Sequence, residues 1–188
     1  ELRKLLRSRR SRRRYADSPL SLAELAMLLW ATQGVVRVVD GQSLRTAPSA
    51  GARHALETYL AVRRVEGLSA GLYQYLPFDH RLARLRDADQ LPERLATACL
   101  GQKMVAEAAV CFIWSAVIQR MRWKYQQRAY RYIYLDAGHV CQNLYLACES
   151  LHLACCAVAA FDDDAVNGLL ELDGREEFVI YMATVGRR

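Results

Sequence analysis

Gly71-Leu72-Tyr73-Gln74-Tyr75-Leu76-Pro77-Phe78-Asp79-His80-Arg81-Leu82-Ala83-Arg84-Leu85 alternates apolar and polar side chains on both sides of a Pro-Phe-Asp-His turn. Period two is the spacing of a strand with one buried face, so this segment predicts a β-hairpin. Thr58–Val62 before it reads as a buried strand, and Ala109–Val117 after it is β-branched and aromatic enough for a central one. Phe178–Val185 predicts a closing strand. Between these, Leu91–Glu107 and the span from Gln119 to about Leu153 are helical in pattern, the second with a break expected near Asp136 to Gly138. Val158–Phe161 leads into Asp162-Asp163-Asp164, carboxylates suited to the first turn of a short helix through Leu170. Strands separated by helices without regular βαβ alternation predict an α+β fold.

Ahead of the hairpin, Ser21-Leu22-Ala23-Glu24 has the form of a capping box, and Leu22, Leu25, Ala26 and Leu29 continue it as a helical stripe ending at Gly34. Val35–Thr46 reads as a loop with short β character. The chain has 188 residues, 53% of them apolar, with 26 basic and 20 acidic side chains. That excludes a disordered chain and suits one domain over residues 1–188. The uncharged run Ala108–Ile118 is too short to cross a bilayer, and polar residues punctuate Ala137–Phe161, so no membrane association is expected.

The positive charge is local. Residues 1–14 hold eight Arg and Lys against Glu1 alone, whereas the rest of the chain is close to neutral. No apolar segment follows this basic arm, so no secretory signal is expected. Six cysteines, without a C-x-x-C pair and mostly within apolar stretches, read as buried free thiols of a reducing cytoplasm. Cys141, Cys148 and Cys155, spaced by seven, would share one helix face. No metal is expected.

Three stretches could carry chemistry. Arg9-Arg10-Ser11-Arg12-Arg13 surrounds a hydroxyl with guanidinium forks, the side chains that grip a phosphate, and Gly186-Arg187-Arg188 could add cations from a remote segment. As a bare run, the arm could equally be a solvated tail. Pro48-Ser49-Ala50-Gly51-Ala52 is a turn of small residues, or a backbone that lets a flat or anionic group approach. Gln119–Tyr134 interleaves charge with Trp123, Tyr125, Tyr130, Tyr132 and Tyr134. That composition suits a single-stranded nucleic-acid surface or an amphipathic interface helix with snorkelling arginines.

In their order, these stretches resemble the FMN-dependent nitroreductase family, and within it the SagB-type thiazoline/oxazoline dehydrogenase-like subgroup. Arg9–Tyr15 is similar to its R-R-S-x-R-x-[FY] opening, and Arg45–Ala52 to its R-x-x-P-S-A-G-A segment. Trp123–Tyr132 with Leu135-Asp136-Ala137-Gly138-His139 and Gln142-Asn143-Leu144 resembles K-Y-x-x-R-A-x-R-Y followed by L-[DE]-x-G-H-x-x-Q-N. Ala159–Asp164 and Val185-Gly186-Arg187 match its C-terminal signatures. The resemblance implies a nitroreductase-like α+β fold, a central mostly antiparallel sheet flanked by helices, and a homodimer with FMN at the interface. The apolar stretch Val140–Leu153 is compatible with a subunit contact.

By that resemblance, Arg9, Arg10, Ser11, Arg13 and Arg187 contact the phosphate and ribityl groups. Pro48, Ser49, Ala50 and Gly51 line the ring, together with Ala157, Val158, Ala159 and Ala160. In azoline dehydrogenases of the subgroup a Lys-Tyr pair is implicated in removing the substrate proton, and Lys124-Tyr125 matches it. Two departures stand out. Arg53-His54-Ala55 replaces the aromatic and proline common after P-S-A-G-A, and Leu151-His152-Leu153 replaces L-G-L. The implied function is two-electron transfer between a donor such as NAD(P)H or an organic substrate and an acceptor, on a small molecule or an azoline peptide. The rival from another class is a nucleic-acid-binding module using the arm, which predicts salt-dependent binding lost on deleting residues 1–14.

Overall fold

The computed structural model describes all 188 residues. After the arm helix α1 (Leu2–Ser8) come α2 (Leu22–Gln33), a hairpin β1 (Val35–Val39) and β2 (Gln42–Arg45), then β3 (Leu56–Val62), β4 (Gly71–Leu76) and β5 (Arg81–Asp87). Helices α3 (Leu91–Ala98) and α4 (Lys103–Glu107) precede β6 (Val110–Val117), α5 (Gln119–Tyr125) and the long α6 (Ala129–Ser150). Strand β7 (Leu153–Val158), α7 (Asp163–Leu170) and β8 (Glu177–Arg187) complete the chain. Six strands form one sheet in the order β5-β4-β3-β6-β8-β7. Every neighbouring pair is antiparallel.

Strand β6 is apolar but for Ser115 because both sheet faces are covered. Phe112 and Trp114 point into a core shared with Leu25 and Leu28 of α2 and Ile133 and Leu144 of α6. Cys111 and Ile113, one residue out of phase, enter a second core with Leu95 of α3, Val105 of α4 and Val166 of α7. Each large side chain so buried contributes roughly 1.5–3 kcal/mol. The predicted capping box is formed: Ser21 Oγ accepts from the Glu24 amide at 3.2 Å, and the Ser21 amide donates to Glu24 Oε2 at 2.8 Å.

The arm lies along the β7–β8 edge. The Arg12 amide donates to Cys155 O at 2.9 Å and the Ala16 amide to Arg187 O at 3.1 Å. The Tyr15 ring rests on Gly186, where a Cβ would come within 2.8 Å of it.

Several sequence expectations are corrected. Val35–Thr46 is a hairpin, turned at Asp40-Gly41 with φ of 49° and 74°, the left-handed pair that matches strand twist. Leu91–Glu107 divides into two helices because Leu100 and Gly101 take φ of 58° and 74°. The break in Gln119–Leu153 falls at Gln126, with φ 50°, and not at Asp136–Gly138, which lie inside the 22-residue α6. Gly138 is exposed with nothing near it, so it costs the helix only about 1 kcal/mol relative to alanine. The segment Leu153–Val158 is a strand; its small Ala and Cys side chains carry no period that distinguishes it from buried helix. Cys155 is consequently on β7 while Cys141 and Cys148 are on α6, and all six thiols are free and buried. Finally, most apolar residues of Val140–Leu153, Leu146 aside, pack in the chain's own core, and the face α6 exposes carries Arg131, Tyr134, Leu135, Gly138, His139 and Gln142.

Candidate functional site

Two clusters form along α6. At its C-terminal half, the Tyr145 hydroxyl is a junction: Ser11 Oγ lies 2.8 Å from it, and the Ala157 amide donates to it at 2.8 Å. The Arg9 guanidinium sits over the Tyr145 ring, 5.2 Å from its centroid. Arg13 lies close enough to Cys156 for its charge to oppose the upward push that burial gives that thiol's pKa. The buried Glu149 carboxylate accepts from Arg12 at 2.8 Å and Arg188 at 2.7 Å, fastening the arm to the helix. Arg9, Arg10 and Arg13 make no ion pair in the chain.

Arg9 and Arg13 fit an FMN phosphate: they are cations without an acid partner, on a backbone that the Arg12 amide fixes to β7, and their forks can make charge-assisted bonds. Arg187 is engaged otherwise, with its fork on the two Glu24 oxygens at 2.7 and 2.8 Å and its Nε–H on Pro19 O at 3.1 Å. Val158 is buried at the end of β7; Ala159 and Ala160 are exposed, and Ala160 O accepts from Gln102 Nε2 at 2.8 Å.

At the N-terminal half of α6, Asp136 organises the small-residue loop. Its carboxylate accepts from Ser49 Oγ at 2.6 Å and from the Ala50 amide at 3.1 Å, and Ser49 Oγ accepts in turn from the His54 amide at 2.9 Å. Burial raises the Asp136 pKa despite the opposing bonds from Ser49 and Ala50. Pro48 and Gly51 are exposed, so the loop backbone is presented to a ligand. Gly51 takes φ 60°, and a Cβ there would stand 2.5 Å from Tyr125 Oη and 3.1 Å from Lys124 Nζ. Lys124 and Tyr125, at the end of α5, are therefore brought directly against the loop.

Asp136 and Tyr145 are nine residues apart on one helix, about 13.5 Å along the axis and half a turn around it. Their partner sets thus face opposite sides of α6, and one chain does not gather them into a single cleft. The three residues that organise both clusters, Asp136, Tyr145 and Glu149, are absent from the candidate sites read in the sequence. Asp136 lay within a recognised motif, and Glu149 was a lone acid in an apolar stretch; Tyr145 carried no signal. Four of the five rings of Gln119–Tyr134 find partners in the chain, Trp123 under Arg53, Tyr125 with Tyr132, and Tyr130 on Phe178, while Tyr134 is exposed.

The sequence and the fold have counterparts among known proteins. The chain is 38% identical over 188 residues to the nitroreductase-type protein MJ1384 of Methanocaldococcus jannaschii, covering 100% of this chain and 91% of that one. It is 31% identical over 147 residues to the trifolitoxin-processing protein TfxB of Rhizobium leguminosarum bv. trifolii, covering 76% of this chain but only 39% of TfxB. A solved nitroreductase-type structure from Anabaena variabilis superposes with a TM-score of 0.84 at 34% identity, over 99% of this chain and 38% of that one. The profile of the nitroreductase family matches residues 6–187, and the chain belongs to that family.

Proposed function

We propose that the protein is an FMN-dependent oxidoreductase, working as a homodimer in which the Pro48–Gly51 loop of one subunit faces the arginine arm of the other. The observation that carries this reading is the placement of the two clusters on opposite sides of α6, each suited to a different end of one ligand. When bound, the flavin supplies the centre that takes up and releases an electron pair. Arg9, Arg10 and Arg13 hold its phosphate, with Ser11 and the Ala157 segment fixing the position of the arm. Asp136 keeps the small-residue loop in place beside the ring. Lys124 and Tyr125, packed on that loop, are placed to hold or take a proton from a substrate carbon. The basic arm is thereby assigned to a nucleotide cofactor and not to a nucleic acid. Six buried thiols suit a reducing, cytoplasmic setting, and no helix is long and apolar enough to cross a membrane.

Similarity to a trifolitoxin-processing protein favours a second, narrower reading. In it, the substrate is an azoline peptide and Lys124 and Tyr125 remove its proton.

The test is an absorption spectrum of the purified protein, before and after adding FMN and removing the excess. Retained flavin bands that bleach with NADH, NADPH or an organic donor are the expected result. A colourless protein at every step overturns the assignment of the arm, and bound flavin that no donor reduces overturns the oxidoreductase reading.

A further inference from the structure

A cavity of about 530 Å³ opens where the Pro48–Ala52 turn ends, between the β1–β2 hairpin and the β4–β5 turn. One wall is cationic. Arg45, Arg53 and Arg120 all line it. Arg120 is held by Glu57 at 2.5 Å, but the other two are not satisfied. Arg45 makes a single side-chain bond, to Gln33 Oε1 at 3.1 Å, and its Nε–H is buried without a partner. Arg53 stacks on Trp123 with its carbon 4.5 Å from the ring centroid, and its Nε–H is also buried and unpartnered. Each guanidinium offers five donors, so most of these are unused.

The charge is offset only in part, by Glu57, which holds Arg120 and also acts on Arg45. His54 is buried between these arginines, and burial, with Arg45 and Arg53 beside it, lowers its pKa to about 4, so it stays neutral at physiological pH. Its Nε2 is engaged on Ser43 O at 2.9 Å. Asp79, at the rim, is the one acid besides Glu57 that lines the cavity. The opposite wall is apolar, built from Tyr75, Leu76, Pro77 and Phe78, and Phe78 is 64% exposed with no partner for its ring.

A semi-enclosed cationic wall concentrates field on an anion. A guanidinium fork matches the two oxygens of a carboxylate, and an aromatic wall takes an apolar body. We propose that this cavity is a binding site for an organic carboxylate with an apolar or aromatic body, held by Arg53 and Arg45 and flanked by Phe78. Arg53 stands where the family resemblance expects an aromatic residue, so the site is a property of this chain's own sequence. It does not depend on the flavin assignment.

Calorimetric titration of the purified protein tests it with phenylacetate, phenylacetamide and inorganic phosphate as probes. Phenylacetate is expected to bind and the neutral amide not to. Arg53→Gln is expected to weaken phenylacetate about tenfold or more, the loss of a charge-assisted bond. Its flavin absorption and melting temperature should match those of the wild type, which separates this result from failure of the cofactor reading. Should Arg53→Gln not fold, Arg120→Gln, which removes charge from the same wall, should weaken phenylacetate in the same direction. Equal binding of acid and amide, unchanged affinity in the folded variant, or binding of phosphate in place of phenylacetate overturns the proposal.

Discussion

Glu149→Ala is expected to destabilise the protein by about 3 kcal/mol, near the low end for breaking a buried ion pair. The carboxylate is 6% exposed, and it holds two guanidiniums that are 19% and 31% exposed. Their partial access to water keeps the cost from rising further, because the stranded cations can rehydrate. A loss of that size should lower the melting temperature by roughly 6–12 °C in a domain of this length. The arm should come loose at the same time, and trypsin should cut among its arginines sooner than in the wild type.

The effect depends on pH. Burial opposes ionisation of Glu149, but the Ser8 hydroxyl and the Arg12 and Arg188 guanidiniums outweigh it, and the net pKa lies below the ordinary 4.5. The stabilisation is therefore complete above that value and is lost as pH falls through the lowered one. Melting curves of the two proteins should converge in acid. A gap under about 1 kcal/mol at neutral pH would show that the pair behaves as a surface contact.

Asp136→Ala is expected to cost about 2–4 kcal/mol, since it removes two bonds to a buried carboxylate and strands the half-buried Ala50 amide. The functional loss should exceed the stability loss, because the Ser49–Gly51 loop would no longer be held against Lys124 and Tyr125. Asp136→Asn keeps an oxygen for the Ala50 amide, and the Ser49 hydroxyl can turn to accept, so its cost should stay near 1 kcal/mol. Here the pH trend runs the other way. The folded pKa is raised above 3.8 by burial, so the stabilising contribution is present at low pH and falls as pH rises through the raised value. The difference from Asp136→Ala should accordingly be greater in mild acid than at neutral pH. Chemical denaturation at several pH values, with flavin retention measured in parallel, checks both parts. Equal stability of Asp136→Ala and wild type would mean the loop is held by its own backbone.

Much of the fold was legible because its strands announce themselves. The Gly71–Leu85 hairpin follows from period-two alternation, and the α2 cap from Ser21 and Glu24, both local signals. What escaped was decided by packing. Asp136-Ala-Gly-His reads locally as a helix break, yet buried Ile133, Ala137 and Val140 carry the helix across it. Leu153–Val158 is apolar without period, and only its register against β8 makes it a strand. For the site, the arginine arm and the small-residue loop were visible as composition. The groups that position them were not: Tyr145 meets Ser11 from 134 residues away, and no local pattern records such a pairing.

The unbroken α6 has a consequence for how this sequence can drift. Because one rod indexes both clusters, a single inserted or deleted residue between Asp136 and Tyr145 would swing one against the other by about 100° and shift it about 1.5 Å. No side-chain substitution restores that phase. Length variation is therefore barred from this interval and confined to surface connections such as Ala88–Gln90, while composition along the rod's outer stripe remains open to change. In that sense the helix works as a keyed shaft, tolerant of what is mounted on its outside and intolerant of slippage.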